Sequence, residues 1–238
     1  MTPSKKILAV VPARGGSKGL PGKNLARIGP DSLVQHAVLA AADSSLITDL
    51  CVSTDSPEIR EHVEKLGVQV PWLRAPHLST DEASTVDVVL DALEREAGKS
   101  PNFDVVVLLE PTAPLRKPED VDNVIRCLLD YWSSRDACIT VSPTNFHPSA
   151  ILSIDQDTEL LRRYPGAFSA IKNRRQDGPQ AYLPIGNCFA IKADVLRRKG
   201  TFYPDRLAPY ILEPWQSIEI DEENDLSLAR MIWEMKGL

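Results

Sequence analysis

The densest chemistry in the sequence lies in one stretch, Pro12-Ala13-Arg14-Gly15-Gly16-Ser17-Lys18-Gly19-Leu20-Pro21-Gly22-Lys23-Asn24. Glycine lets backbone N–H groups come close to an anion. Arg14, Lys18 and Lys23 add three positive charges, and no acidic residue occurs between Met1 and Pro30. Two common phosphate motifs fail here. G-x-x-x-x-G-K-[ST] requires Gly at 17 and Ser or Thr at 24, where the chain has Ser17 and Asn24. The glycines at 15, 16, 19 and 22 do not fit G-x-G-x-x-G either. From the residues alone the stretch is an anion site or a solvated cationic turn.

Other candidates lie far apart in sequence. Glu219 and Asp221 are two residues apart, which on a strand places both on one face. Mg²⁺ takes one or two carboxylates together with phosphate and water, so the pair is a metal candidate. It is equally an acidic lead-in to a helix, where Asp221, Glu222 and Glu223 complement the helix dipole. Glu110 follows an apolar run and is either a ligand-facing carboxylate or an outward partner of Arg116. Asp55, in Thr54-Asp55, is a turn or cap residue. Lys172-Asn173-Arg174-Arg175 is an exposed basic stretch or an acid-binding one.

Composition narrows the classes. The chain has 238 residues, 43% hydrophobic and 25% charged, as an ordinary globular protein has. The formal net charge of −6 lacks the basic footprint of a nucleic-acid binder. No apolar run approaches the ~18 residues of a membrane span, and the first, Ile7 to Val11, is too short for a signal peptide. No nucleic-acid or membrane partner and a cytoplasmic setting are therefore expected. The four cysteines, at 51, 127, 138 and 188, form no Cys-x-x-Cys pair and are expected to be reduced. The four histidines form no metal-spaced cluster.

The elements that would carry these residues alternate. Strands are predicted at 6–11, 49–53, 68–70, 104–109, 137–141, 186–192 and 218–220. Helices are predicted at 33–43, 58–66, 85–96, 118–131, 194–198 and 222–235, with Ser32 as an N-cap. Such alternation implies a three-layer α/β fold, a mostly parallel sheet with helices on both faces. Its ligands bind beyond the C-terminal strand ends. Residues 142–183 show no clean period, so residues 1–238 read as one domain with an insert there.

Several segments together resemble a known family. Residues 13–24 after an N-terminal strand, Val52-Ser53-Thr54-Asp55, Leu108-Leu109-Glu110-Pro111-Thr112-Ala113-Pro114-Leu115-Arg116, the stretch from Gly186 to Ile191, and Ser217-Ile218-Glu219-Ile220-Asp221 agree in order and spacing. They resemble the acylneuraminate cytidylyltransferases, the CMP-sialic acid synthetases and their bacterial relatives, over essentially the whole chain. The resemblance implies a nucleotide-diphospho-sugar transferase fold. It also implies a Mg²⁺-dependent reaction of CTP with a nonulosonic acid to give CMP-sugar and pyrophosphate.

By that resemblance Arg14, Lys23 and Asp221 are catalytic. Arg14, Gly15, Gly16, Ser17, Lys23, Asn24 and Ser84 bind the nucleotide, Ser84 being also a credible N-cap. Glu110, Arg175, Gln176 and Asn187 contact the sugar, and Asp221 with Glu219 holds Mg²⁺. The insert at 142–183 implies a homodimer. Two departures stand out: Glu110 replaces the family's Gln, and Glu219 its usual Asp. A Kdo-type cytidylyltransferase shares a turn like Leu20–Lys23 but usually differs over Gly15–Lys18. A non-catalytic nucleotide-binding module on the same fold is the other alternative. The Gly19–Gly22 variant is similar to legionaminate-type relatives.

Overall fold

The apolar run after Lys6 forms β1 (Ile7–Pro12), whose side chains alternate between the two faces of a sheet. The computed structural model describes residues 5–98, 103–144, 150–164 and 179–238. β2 (Arg27–Ile28) and β3 (Asp31–Ser32) form a small antiparallel ladder ahead of α1 (Leu33–Ala42). β4 (Asp49–Ser53), α2 (Pro57–Glu64), α3 (Thr85–Ala97), β5 (Val105–Leu108) and α4 (Asp120–Leu129) follow. β6 (Ala137–Pro143) is joined to β9 (Tyr182–Lys192) through an excursion carrying β7 (Leu152–Ile154) and β8 (Leu161–Arg163). The chain ends with α5 (Ala193–Lys199), β10 (Leu207–Ile211) and α6 (Glu223–Lys236).

The main sheet has the order β10-β6-β9-β5-β1-β4. β9 runs antiparallel to both neighbours, and the other pairs are parallel. Ile7, Ala9 and Val11 face a core closed by α1, α2 and α4. Leu8 and Val10 face the one closed by α3 and α5. The expected three-layer, mostly parallel architecture is therefore present. Ser32 is the N-cap of α1, its Oγ accepting the Gln35 N–H at 3.3 Å.

Two expected strands are absent. Residues 68–70 make no ladder, and β4 is left as the sheet edge. Residues 218–220 lie against the turn after β5, where Ile220 N–H reaches the Thr112 carbonyl at 2.8 Å. Pro111 and Pro114 have no N–H to extend that contact into a ladder. The sequence reading misses the short ladders β2–β3 and β7–β8 and one strand of the main sheet, β10, which contains Pro209; a proline is tolerated there because β10 is an edge strand.

The β6–β9 pairing carries a register shift between Ile139 and Val141. The buried Thr140 hydroxyl fills it, lying 2.6 Å from the Ile185 carbonyl and 3.0 Å from the Cys188 carbonyl, and accepting the Cys188 N–H at 3.0 Å. Gly186 and Asn187 are thereby displaced from a regular ladder, toward the end of β5. Thr140→Val keeps the side-chain shape and removes the hydroxyl. The variant should lose about 1–3 kcal/mol, seen as a lower urea midpoint at unchanged slope. An unchanged midpoint would mean that the irregularity holds without the hydroxyl.

Candidate active site

The C-terminal ends of β1, β4 and β5 open on one cleft of about 270 Å³, as doubly wound sheets position their ligands. Arg14, Lys23, Asn24, Arg74, Asp81, Glu110 and Asp221 are among the residues lining it. The Gly-rich loop is pinned from beneath. Asp55 accepts the Gly15 N–H at 2.8 Å, and the buried Asn24 donates its amide to the Arg14 carbonyl at 2.8 Å. Asp55 is thus a turn residue that shapes the loop. Gly15, Gly16 and Ser17 form the bend beside Arg14 and are not among the cleft-lining residues.

Three loop cations point at acids. Arg14 Nη1 lies 2.6 Å from Asp81 Oδ1, and Lys18 Nζ 2.7 Å from Asp81 Oδ2. The Lys18 and Arg14 contacts hold the Asp81 carboxyl below the usual carboxylate range. Lys23 is mostly buried and bonds the Ile220 carbonyl at 3.1 Å and Asp221 Oδ1 at 2.9 Å. Gly19 lies so close to the Asp221 carbonyl that a Cβ would collide with it. The N-terminal loop and the segment before α6 therefore close on each other.

Glu110 leaves β5 into the floor of this cleft. Its backbone N–H donates to the Gly186 carbonyl at 3.1 Å, and its carboxyl fills the space that a Cβ on Gly186 would need. Burial, then the neighbouring Glu219, push its pKa up to about 7, against a smaller pull from Arg116 and Lys23. Arg116 bonds the backbone carbonyl of Glu110, at 2.6 Å. The pocket-facing alternative for Glu110 is thus the one observed. A second hollow of about 300 Å³ on its other side is lined by Ser84, Phe189, Thr201, Phe202 and Tyr203. Glu110 borders both.

The expected Glu219–Asp221 pairing takes a different form, because no strand aligns the two. Glu219 Oε1 accepts the Gly186 N–H at 2.6 Å, while Asp221 turns to Lys23. Burial raises the Glu219 pKa, although part of the residue reaches solvent. Among the described residues no three His, Cys, Asp or Glu side chains gather as a ready metal cage. Ser84 caps α3, its Oγ accepting the Val86 N–H at 3.1 Å, and borders the second hollow. Asn187 is fully buried, donates to the Leu115 carbonyl at 3.4 Å and is not brought to the cleft. Arg175 and Gln176 lie outside the described residues.

Sequence reasoning overlooked Arg74. It is buried, with Nε on Ser53 Oγ at 3.0 Å and Nη2 on the Ser53 carbonyl, and it lines the cleft. Burial pulls its pKa down, with Asp55 opposing. No motif or spacing marks an arginine in that loop. Phe202 and Tyr203 were overlooked too, since only the fold carries them to Glu110.

The wider comparisons agree with this arrangement. Residues 8–236 match the family model described as cytidylyltransferase. A CMP-N,N'-diacetyllegionaminic acid synthase from Legionella pneumophila is 33% identical over 231 residues, 97% of each chain. An N-acylneuraminate cytidylyltransferase from Streptococcus agalactiae is 31% identical over 92% of this chain and 51% of its own. The solved structure of a CMP:2-keto-3-deoxy-manno-octonic acid synthetase complexed with CTP superposes with a TM-score of 0.69 at 18% identity, covering 98% of this chain and 100% of that one. That last likeness is one of fold. With a cationic strand-end cleft of this build and a family match running nearly end to end, the chain belongs to the cytidylyltransferase family.

Proposed function

We propose that this protein joins CTP to a nonulosonic acid, releasing pyrophosphate and forming the CMP-sugar. The observation that carries the reading is the cleft at the strand ends, where Arg14, Lys23 and Arg74 converge in an otherwise acidic chain. The names of its relatives, which include a legionaminic acid synthase and an N-acylneuraminate cytidylyltransferase, support a nonulosonic acid over Kdo. CTP-dependent pyrophosphate release with a panel of nonulosonic acids and Kdo tests it. Release with none of them would leave a nucleotide-binding module.

In this reading the sugar hydroxyl attacks the α-phosphate and pyrophosphate leaves. Arg14 and Lys18 exchange Asp81 for triphosphate oxygens, and Lys23 and Arg74 supply fixed positive charge. The sugar acid lies toward the second hollow, with Glu110 between it and the nucleotide. A protonated Glu110 donates a hydrogen bond as the family's glutamine amide does. Arg175 and Gln176 are proposed to meet the sugar carboxylate.

The donor set fits Mg²⁺: Asp221 is a largely exposed carboxylate beside the triphosphate cations, and this ion completes its shell with phosphate and water. Asp221 would hold it, with Glu219 behind. Bound there, Mg²⁺ would offset charge developing on the phosphates. No helix among the described residues is long and apolar enough to cross a membrane; a cytoplasmic enzyme is the proposed setting.

A homodimer is supported by the excursion between β6 and β9. Its β7–β8 hairpin is two-stranded, which is marginal alone. It presents Ile154, Leu160 and Leu161 at 60%, 63% and 67% exposure. A second copy of the chain would cover this face.

Asp221→Asn should lose most turnover while remaining folded, and Lys23→Ala should weaken CTP binding by about 1.5–3 kcal/mol; near-normal values would move these side chains out of the site. Glu110→Gln should be stabilising at pH 8 and neutral below pH 4.5. A carboxyl whose folded pKa is raised keeps its full stability below its unfolded pKa and loses it as pH rises through about 7. The gain in urea unfolding of the metal-free protein is at most about 3 kcal/mol, and a pH-independent difference would argue against a buried carboxyl. Leu161→Asp should convert a dimer to monomer in sedimentation. A wild-type monomer at micromolar concentration with full activity would remove the dimer.

A further inference from the structure

We propose that Cys127 and Cys138 are an oxidisable thiol pair, in which Cys127 reduces a hydroperoxide and Cys138 resolves the product as a disulfide. The pair lies outside the cleft and does not rest on the reading of its substrates. Cys127 is in the last turn of α4, and Cys138 is the second residue of β6, on which α4 packs. β6 runs in the same sense as β1 and β5. Its start is therefore at the sheet end opposite the cleft.

Geometry gives the two sulfurs different tasks. Cys127 packs against the core cluster that holds Cys138, and each thiol shifts the ionisation of the other. Cys127 is half-buried, whereas Cys138 is fully buried. A small oxidant can meet Cys127, and Cys138 is met through Cys127. Arg135, in the turn between α4 and β6, folds back over the first sulfur. Its Nη1 lies 3.0 Å from Cys127 Sγ and 2.7 Å from the Cys127 carbonyl, and its guanidinium sits 3.9 Å from the Tyr131 ring centre. The carbonyl and the ring hold the cation where a thiolate would form.

Electrostatics agrees. The neighbouring Cys138, then Arg135, bring the Cys127 thiol down to about 7 against burial and Asp130. The Cys138 thiol is pushed up by Cys127, by burial and by Cys188. Cys188 itself is fully buried and raised to about 12 by that burial. One thiolate, half open to solvent, thus faces one protonated thiol.

The chemistry balances with a hydroperoxide as the oxidant. The Cys127 thiolate attacks the O–O bond. It gains one oxygen as sulfenic acid, its sulfur giving up two electrons, and the alkoxide or hydroxide that leaves takes a proton from water. Cys138 then attacks the Cys127 sulfur; the S–S bond forms, the S–O bond breaks, and its thiol proton departs with the hydroxide as water. Two thiols and one hydroperoxide give one disulfide, one alcohol or water, and one water.

Hydrogen peroxide on the whole protein tests this. The intact mass should fall by two hydrogens with no oxygen retained, and peptide mapping should find Cys127 linked to Cys138. Cys138→Ala should instead accumulate a sulfenic acid at Cys127, trapped by dimedone; Cys188→Ala should behave as wild type. Arg135→Met should slow iodoacetamide alkylation of Cys127 at pH 7 by roughly tenfold with no loss at pH 9.5. Four thiols unchanged by peroxide, a disulfide that omits Cys127, or alkylation indifferent to Arg135 would overturn the proposal.

Discussion

The site depends on a guanidinium sealed from solvent. Arg116 is buried at the junction of β5 and β9, and removing a charge from water costs several kcal/mol unless its N–H groups find acceptors. The acceptors here are backbone carbonyls: Asn187 at 2.7 Å, Glu110 at 2.6 Å and Gly186 at 3.5 Å. Burial lowers its pKa to about 10, so it stays charged at neutral pH. Among the described residues Nη1 is left without a partner, so the Nε and Nη2 bonds carry that charge and fix the exit of β5 against the displaced stretch of β9. The approach is so close that position 186 has no room for a Cβ. Gly186 N–H is then left for Glu219. The direction of the Glu110 carboxyl, the place of Glu219 and the wall between the two hollows all follow from that junction. Thr140 completes it from the β6 side.

A second constraint is the local excess of acid. Glu110, Glu219 and Asp221 converge on Lys23, and each carboxyl raises the cost of ionising the next. Glu110, half-buried in the floor of the cleft, answers by holding its proton to about pH 7. Near neutral pH a protonated Glu110 can therefore offer both a donor and an acceptor, as an uncharged amide would. Lys23 answers differently. It spans 198 positions of sequence to bond Asp221 and the Ile220 carbonyl, so neutralising the acid also closes the cleft.

What the sequence could show divides along the same lines. β1, β4 and β5 were legible because a buried strand needs a short apolar run, and Ser32 because a cap is a local hydrogen bond. Glu110 was placed correctly at a strand end, since a central strand brings its C-terminal residue to the ligand edge. β10 was hidden by Pro209, acceptable only because the strand turned out to be an edge. The shared face of Glu219 and Asp221 failed because a period of two requires a ladder, and two prolines opposite deny it. Asn187, matched by motif, belongs to the Arg116 junction and is buried within it. Arg74 and the Cys127–Cys138 pair were invisible, since no local rule reports contacts between residues joined only by the fold.

The arrangement of charge explains how an acidic protein can take acidic substrates. A net charge of −6 repels a triphosphate at long range, yet Arg14, Lys18, Lys23 and Arg74 concentrate positive charge around one concavity. Low-dielectric walls focus such a field toward the opening. The ion pairs there differ in kind. Asp81, Arg14 and Lys18 meet at the surface, where a pair contributes about 0–1 kcal/mol. An entering phosphate can therefore replace the Asp81 carboxylate at little cost, and Asp81 keeps the cations oriented until it does. Arg74 is buried and fixed by Ser53, so its charge is permanently in place and does not have to be recruited. The cleft thus combines exchangeable cations at the rim with a fixed one in the wall, and the acids that would oppose an anion are either paired or protonated.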